Sequence, residues 1–251
     1  MERMQGKVVI VAGGAGGIGS VLSLGLASEG AHVVVADVDE QQNERVLAEL
    51  SQRGPACAAI RVDVTDEEST VAMAKRTVEQ FGQIDVLVYA AAIYATLERR
   101  DFVEIGSDEW DLVLKVNLTG AQRTARAVLP AMQERGEGSI VNITSVNTVL
   151  SPAGRAHYSA SKAALENLTR TLAKEAGPYG VRVNALSPGL VNTGRAKLVS
   201  EERYKQTAED RALKRELVPQ DLIGPLVFLC SEDAAMITGH TLVVDGGQIF
   251  V

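Results

Sequence analysis

Seven short, β-branched apolar runs recur along the chain with helix-patterned stretches between them. They are "KVVIVA" (7–12), "HVVVAD" (32–37), "AAIRVD" (58–63), "IDVLVYA" (84–90), "GSIVNIT" (138–144), "VRVNALS" (181–187) and "TLVVD" (241–245). The runs are nearly continuous in apolar residues, the pattern of strands covered on both faces. Segments 40–53, 66–81, 108–135 and 157–176 carry apolar residues at helical spacing. Such alternation predicts an α/β fold: a parallel sheet with right-handed crossovers and helices on both faces. No linker, repeat or low-complexity tract interrupts residues 1–251, so a single domain is expected, long enough to bury a real core. The charged stretch 190–218, containing "EERYKQTAEDRALKREL", reads either as a solvated helical insertion or as a lid over a site.

A net charge of −7 argues against nucleic acid or an anionic membrane surface as partner. No apolar run approaches the ~18 residues of a membrane span. The start "MERMQGK" lacks the apolar core of a secretory signal, so a cytoplasmic location is expected. His32, His157 and His240 form no ligand spacing, which predicts no metal site, and Cys57 and Cys230 read as buried reduced thiols.

The first strand runs into "GGAGGIG", residues 13–19, and a helix is expected from near Gly17. Strand, glycines, then helix is the geometry of a phosphate site: outward-facing N–H groups and the helix dipole favour an anion, and missing Cβ atoms let it approach. Gly13, Gly17 and Gly19 give the spacing G-x-x-x-G-x-G, a variant of the dinucleotide fingerprint. The second strand ends at Asp37, 24 residues after Gly13, where a carboxylate accepts from an adenosine ribose diol and repels a 2′-phosphate. Gly16 and Val38 stand where a basic residue would reverse that preference, so NAD is expected over NADP. The third strand ends in Asp63-Val64, placed either to accept from an adenine amino group or to cap the next helix.

Tyr158 and Lys162, in "HYSASKAAL", leave one face of a helix a turn apart. A free tyrosine is a poor base at neutral pH; a nearby ammonium, helped by the positive charge of an oxidised nicotinamide, is expected to favour the tyrosinate, giving a group that takes or returns a hydroxyl proton. Ser145 follows strand "SIVNIT" and could hold a substrate oxygen. Asn117 falls inside the predicted long helix, where Asn is a poor helix former, so a local kink with a polar role is expected.

With these residues in order behind a dinucleotide loop, the chain resembles a short-chain dehydrogenase/reductase of the ordinary ~250-residue branch. The resemblance runs from about Gly6 to Gly247 and also rests on "NITS", "YSASK", "SPGLVNT" (187–193) and "ITGHTLVVDGG" (237–247). It implies a Rossmann-like, doubly wound sheet of about seven strands. It implies Tyr158 as acid/base, Lys162 on the nicotinamide ribose, Ser145 polarising the substrate oxygen and Asn117 holding a water in a proton relay. The dinucleotide would touch Gly13, Gly16, Gly17, Ile18, Gly19, Asp37, Asp63, Val64, Ala90, Ala91, Pro188, Gly189, Val191 and Thr193. Family members usually form homotetramers, partly through the helix carrying Tyr158, where Ala160, Ala163 and Ala164 permit close packing.

Two departures stand out. Ala12 replaces the family's Thr, and "YAAA" (89–92) replaces its "NNAG". A hydroxyl and the amides it would serve disappear together, a nearly neutral exchange that predicts a more apolar support beneath the cofactor. Asn147, Tyr94 and Ser145 are expected substrate contacts, and the mixture suits a small or medium secondary alcohol or ketone. A carrier-dependent ketoreductase using NADPH is the nearest rival; Arg99, Arg100 and Arg195 would have to form its basic entrance. A non-catalytic NADH-binding regulator would have lost Tyr158 or Lys162, and both are present.

Overall fold

The computed structural model describes residues 3–52, 55–194 and 198–250. All seven expected strands form: β1 (Val8–Ala12), β2 (His32–Asp37), β3 (Ala58–Arg61), β4 (Val86–Tyr89), β5 (Gly138–Ile143), β6 (Val181–Pro188) and β7 (Thr241–Val244). They make one parallel sheet in the order β3-β2-β1-β4-β5-β6-β7. The order reverses between β1 and β4, so a crevice opens at the carboxyl ends of those two strands. Register places Ala12 beside both Ala36 and Tyr89, and the Ala90 amide continues the ladder to the Ala12 carbonyl at 2.8 Å.

Successive side chains on each strand enter opposite layers. Val9, Val11, Val86 and Val88 pack with α1 (Gly17–Ser28), α2 (Glu40–Leu50) and α9 (Ile223–Cys230). Ile10, Ala12, Leu87 and Tyr89 pack with α3 (Glu67–Phe81), α5 (Gly120–Arg135) and α7 (Ala156–Ala176). This double burial is why the strands lack alternation. Among the described residues α4 (Ser107–Leu114), α6 (Asn147–Leu150) and α8 (Glu201–Asp210) are further helices. Asp39 caps α2 by accepting from the Gln42 amide at 3.0 Å, and Asp66 caps α3 through the Glu68 amide at 3.1 Å.

The helix expected over 108–135 is interrupted. Between α4 and α5 the backbone widens into a π-turn, Lys115–Thr119, centred on Asn117. The kink expected from an interior Asn is therefore a wider turn rather than a break. Among the described residues, no helix is long and apolar enough to cross a membrane, and no cluster of three potential metal ligands occurs.

Candidate active site

Where β1 ends, Gly13 adopts φ +77°, and a Cβ there would lie 2.5 Å from the Ala91 amide nitrogen. Only glycine satisfies both the positive φ and that approach. The loop is drawn across β1 and β2 by the Gly13 amide, which donates to the Ala36 carbonyl at 2.7 Å. Asp37 helps hold it, accepting from the Ala15 amide at 3.2 Å. Val38 beside it is exposed.

The crevice deepens into a cleft of about 1130 Å³. Its wall includes Gly13, Gly16, Gly17, Ile18, Gly19, Asp37, Asp63, Val64, Ala90 and Ala91. It continues through Tyr94, Ser145, Asn147, Tyr158, Lys162, Pro188, Gly189, Val191 and Thr193. Every site residue expected from the sequence thus borders one cavity except Asn117.

Asn117 is fully buried behind that wall. Its Oδ1 accepts from the Ile93 amide at 2.8 Å, and its Nδ2 donates to Ser161 Oγ at 3.0 Å and to the Ile93 carbonyl at 3.4 Å. Its side-chain polar atoms are committed to protein partners. It ties the segment after β4 to α7.

The π-turn has a second support. Tyr89, the residue in place of the family's first Asn, is fully buried and donates from its hydroxyl to the Val116 carbonyl at 2.5 Å. Gly120 makes room: a Cβ there would meet the Tyr89 hydroxyl and come within 2.9 Å of Val64 Cγ2. The support beneath the crevice is therefore not simply more apolar, as expected; one phenol reaches a carbonyl displaced by the wide turn. Tyr89→Phe should leave that carbonyl without its donor and cost about 1–3 kcal/mol of stability, read from a denaturant midpoint. An unchanged midpoint would mean the carbonyl has another donor.

Strand β5 delivers Ser145 just past its end, held by the adjoining Val146 amide donating to the Pro188 carbonyl at 3.1 Å. The first two turns of α7 present Tyr158 and Lys162, both buried. The Lys162 ammonium donates to the Ile143 carbonyl at 2.7 Å and stands 5.9 Å from the centre of the Tyr158 ring. The expected favouring of the tyrosinate invoked this ammonium together with the charge of an oxidised nicotinamide; in the protein alone other contributions set the direction. Burial dominates and pushes Tyr158 above its ordinary value; Tyr94 adds to this, while a hydrogen bond from Ser145 and the charge of Arg155 oppose it. Burial likewise pushes Lys162 down to about 7.

Of the two readings left open for Asp63, capping the next helix is not what forms, because Asp66 caps α3 and Asp63 holds the turn before it. Asp63 borders the cleft, and its carboxylate accepts from the Thr65 amide at 2.8 Å; hydrogen bonding from Thr65 holds it below the usual carboxylate range. Helix α8 adds Arg203, Thr207 and Asp210 to the wall, so part of the charged 190–218 stretch borders the cavity. Of the arginines considered for an entrance, Arg99 borders the cleft, Arg100 is paired with Glu98 and Glu109, and Arg195 lies outside the described residues. Sequence reasoning missed Arg155, a wall residue three positions before Tyr158. Its only sequence signal was that position, opening the helix that carries the phenol.

A family profile described as enoyl-(acyl carrier protein) reductase matches residues 13–248. The chain is 36% identical over 250 residues to a 7alpha-hydroxysteroid dehydrogenase of Bacteroides fragilis, covering 98% of this chain and 96% of that one. It is 33% identical over 250 residues to the 3-oxoacyl-(acyl-carrier-protein) reductase of Thermotoga maritima, covering 98% and 99%. Among solved structures, NAD+-bound xylitol dehydrogenase superposes with a TM-score of 0.89 at 31% identity, covering 97% of this chain and 99% of the other.

Proposed function

The chain belongs to the short-chain dehydrogenase/reductase family, and from that premise we propose that it interconverts a secondary alcohol and its ketone with NAD, using Tyr158 as acid and base. Membership makes it an NAD(P)-dependent oxidoreductase in general terms. The observation carrying the finer reading is that one cleft borders the glycine loop, Asp37, Ser145, Tyr158 and Lys162 together.

The residues present fit a dinucleotide. A Cβ at Gly16 would find only the Gly13 carbonyl, at 3.3 Å, so the loop's outer face is open backbone. Helix α1 begins there with no side-chain cap and no acidic residue in its first turn, leaving the dipole free to favour phosphate. When bound, the dinucleotide supplies the acceptor or donor of a hydride. Asp37 accepts from the ribose diol and disfavours a 2′-phosphate, with no cation at Gly16 or Val38 to offset it. Ser145 holds the substrate oxygen, and Tyr158 takes the hydroxyl proton or returns it. The Lys162 ammonium lies behind the phenol and favours its ionised form once that form develops.

A panel of secondary alcohols, offered with NAD and then NADP and followed by nicotinamide absorbance, tests this reading. Turnover with NAD is expected; turnover with neither dinucleotide would overturn it. Asp37→Ala should shrink the preference for NADH over NADPH by roughly 10–100-fold, the worth of a hydrogen bond to a charged group. Direct titration of both reduced dinucleotides reads that ratio, and an unchanged ratio would refute the ribose contact.

A further inference from the structure

The end of the cleft around Tyr158 is cationic in a chain whose net charge is −7. Arg99 and Arg203 are exposed at its mouth with Asp210, while Arg155 is deep in the wall and only 5% exposed. Arg155 donates from Nη2 to the Leu97 carbonyl at 2.9 Å, the one hydrogen bond of its guanidinium among the described residues. Its guanidinium lies over the Tyr94 ring, 4.6 Å from the centre, and its Nε is buried without a partner. Among the described residues, no carboxylate forms an ion pair with it. Tyr94 in turn packs against Tyr158, ring centres 4.8 Å apart, so the charge stands next to the phenol across one shared ring.

Two other arginines show what a purely structural role looks like here. Arg182 spends its guanidinium on three carbonyls, of Leu229, Cys230 and Ser231. Arg211, buried like Arg155 and also with an unpartnered Nε, uses both of its terminal nitrogens to brace the carbonyls of Leu190 and Arg215 and does not border the cavity. Arg155 keeps most of its five donors in reserve and borders the cavity. A guanidinium removed from water without a counter-charge is costly. A ligand bringing a planar anion removes that cost and matches the side-by-side N–H geometry of the fork.

We propose that Arg155 anchors a substrate carboxylate, so that the substrate is a hydroxy acid or the matching oxo acid. This rests on the alcohol–ketone reading above and narrows it. The carboxylate pairs with Arg155 and passes through unchanged. The hydroxyl-bearing carbon lies toward Ser145 and Tyr158. In oxidation its C–H bond breaks with the electron pair leaving to oxidised dinucleotide, the O–H proton passes to Tyr158, and the C=O bond forms. The aryl or alicyclic neutral alcohols that would suit the apolar part of the wall leave the guanidinium unpaired.

The test uses pyruvate, acetoacetate and levulinate, which move the ketone one carbon at a time from the carboxylate, each against its methyl ester. Two readouts are taken: kcat/KM with NADH, and calorimetric binding to the protein. At least one acid should exceed its ester by about 10²-fold or more in kcat/KM and bind where the ester does not. In Arg155→Met that acid-to-ester ratio should collapse toward one, and Arg155→Lys, which keeps the charge without the fork, should restore part of it. Esters used and bound as well as their acids would overturn the anchor while leaving the alcohol–ketone reading standing. Acids that bind through Arg155 but are never reduced would overturn that reading instead. If neither acids nor esters bind, the anchor fails; if the Met variant does not fold, the wild-type acid-to-ester ratio and the Lys variant decide.

Discussion

Tyr158→Phe lowers turnover by roughly 10²–10⁴-fold, the usual worth of a positioned acid/base group, while dinucleotide binding stays within a few-fold of wild type. The change removes one hydroxyl from a ring that is already buried and packed against Tyr94, so the wall keeps its shape. On the proposed reading Ser145 would still hold the substrate oxygen, but no base would receive the proton. The pH dependence of the wild type follows from the same geometry. Burial keeps the phenol above its ordinary value, so the ionised form needed for oxidation gains population as pH rises, and that direction accelerates with pH. The reverse direction needs the protonated phenol and stays flat through neutrality. Steady-state rates in both directions, with dinucleotide fluorescence for binding, check all three statements; turnover surviving in the Phe variant would remove Tyr158 from the role assigned to it.

The sheet and its order were legible because double burial writes itself locally: "HVVVAD" and "KVVIVA" leave no polar side for solvent, and β1 and β2 form as those runs require. The glycine loop was legible for the same reason, since positive φ and close approach at Gly13 exclude every other residue at a single position. What escaped were features whose cause lies far along the chain. Tyr89 looks like one more apolar strand residue; its use depends on a carbonyl 27 residues away and on the absent side chain of Gly120. A bond to a backbone carbonyl leaves no mark on the sequence of the acceptor. Arg155 escaped because its distinguishing property is the lack of a carboxylate partner among the described residues, and spacing records pairs. The phenol–ammonium expectation used spacing that places both groups on one face of α7, but spacing carries no account of the burial that raises Tyr158 in the protein alone. Spacing says which groups meet, and desolvation, set by everything packed around them, says which charge state is favoured.

Desolvation matters most at Lys162. An ammonium with about 2% exposure and a single carbonyl partner is held down to about 7, against roughly 10.4 in an unfolded chain. Between those two values the unfolded chain binds the proton and the folded one does not, so folding stability rises with pH across the window. At and below about pH 7 the folded state carries the full cost of the buried charge; near pH 10 the cost is almost gone. Lys162→Met removes this dependence and adds a pH-independent cost of about 1–3 kcal/mol for an Ile143 carbonyl left without its donor. The variant's stability relative to wild type should therefore be best near pH 6 and fall steadily toward about pH 10, while turnover drops by about 10²-fold or more at every pH. Thermal denaturation across that range measures the first effect and steady-state kinetics the second. Parallel stability curves would mean Lys162 keeps its proton on folding; a variant that turns over normally would mean the buried ammonium serves only to brace the end of β5. If both effects appear, the buried amine is kept, at a cost to the fold below about pH 7, because the phenol one turn away works only with it in place.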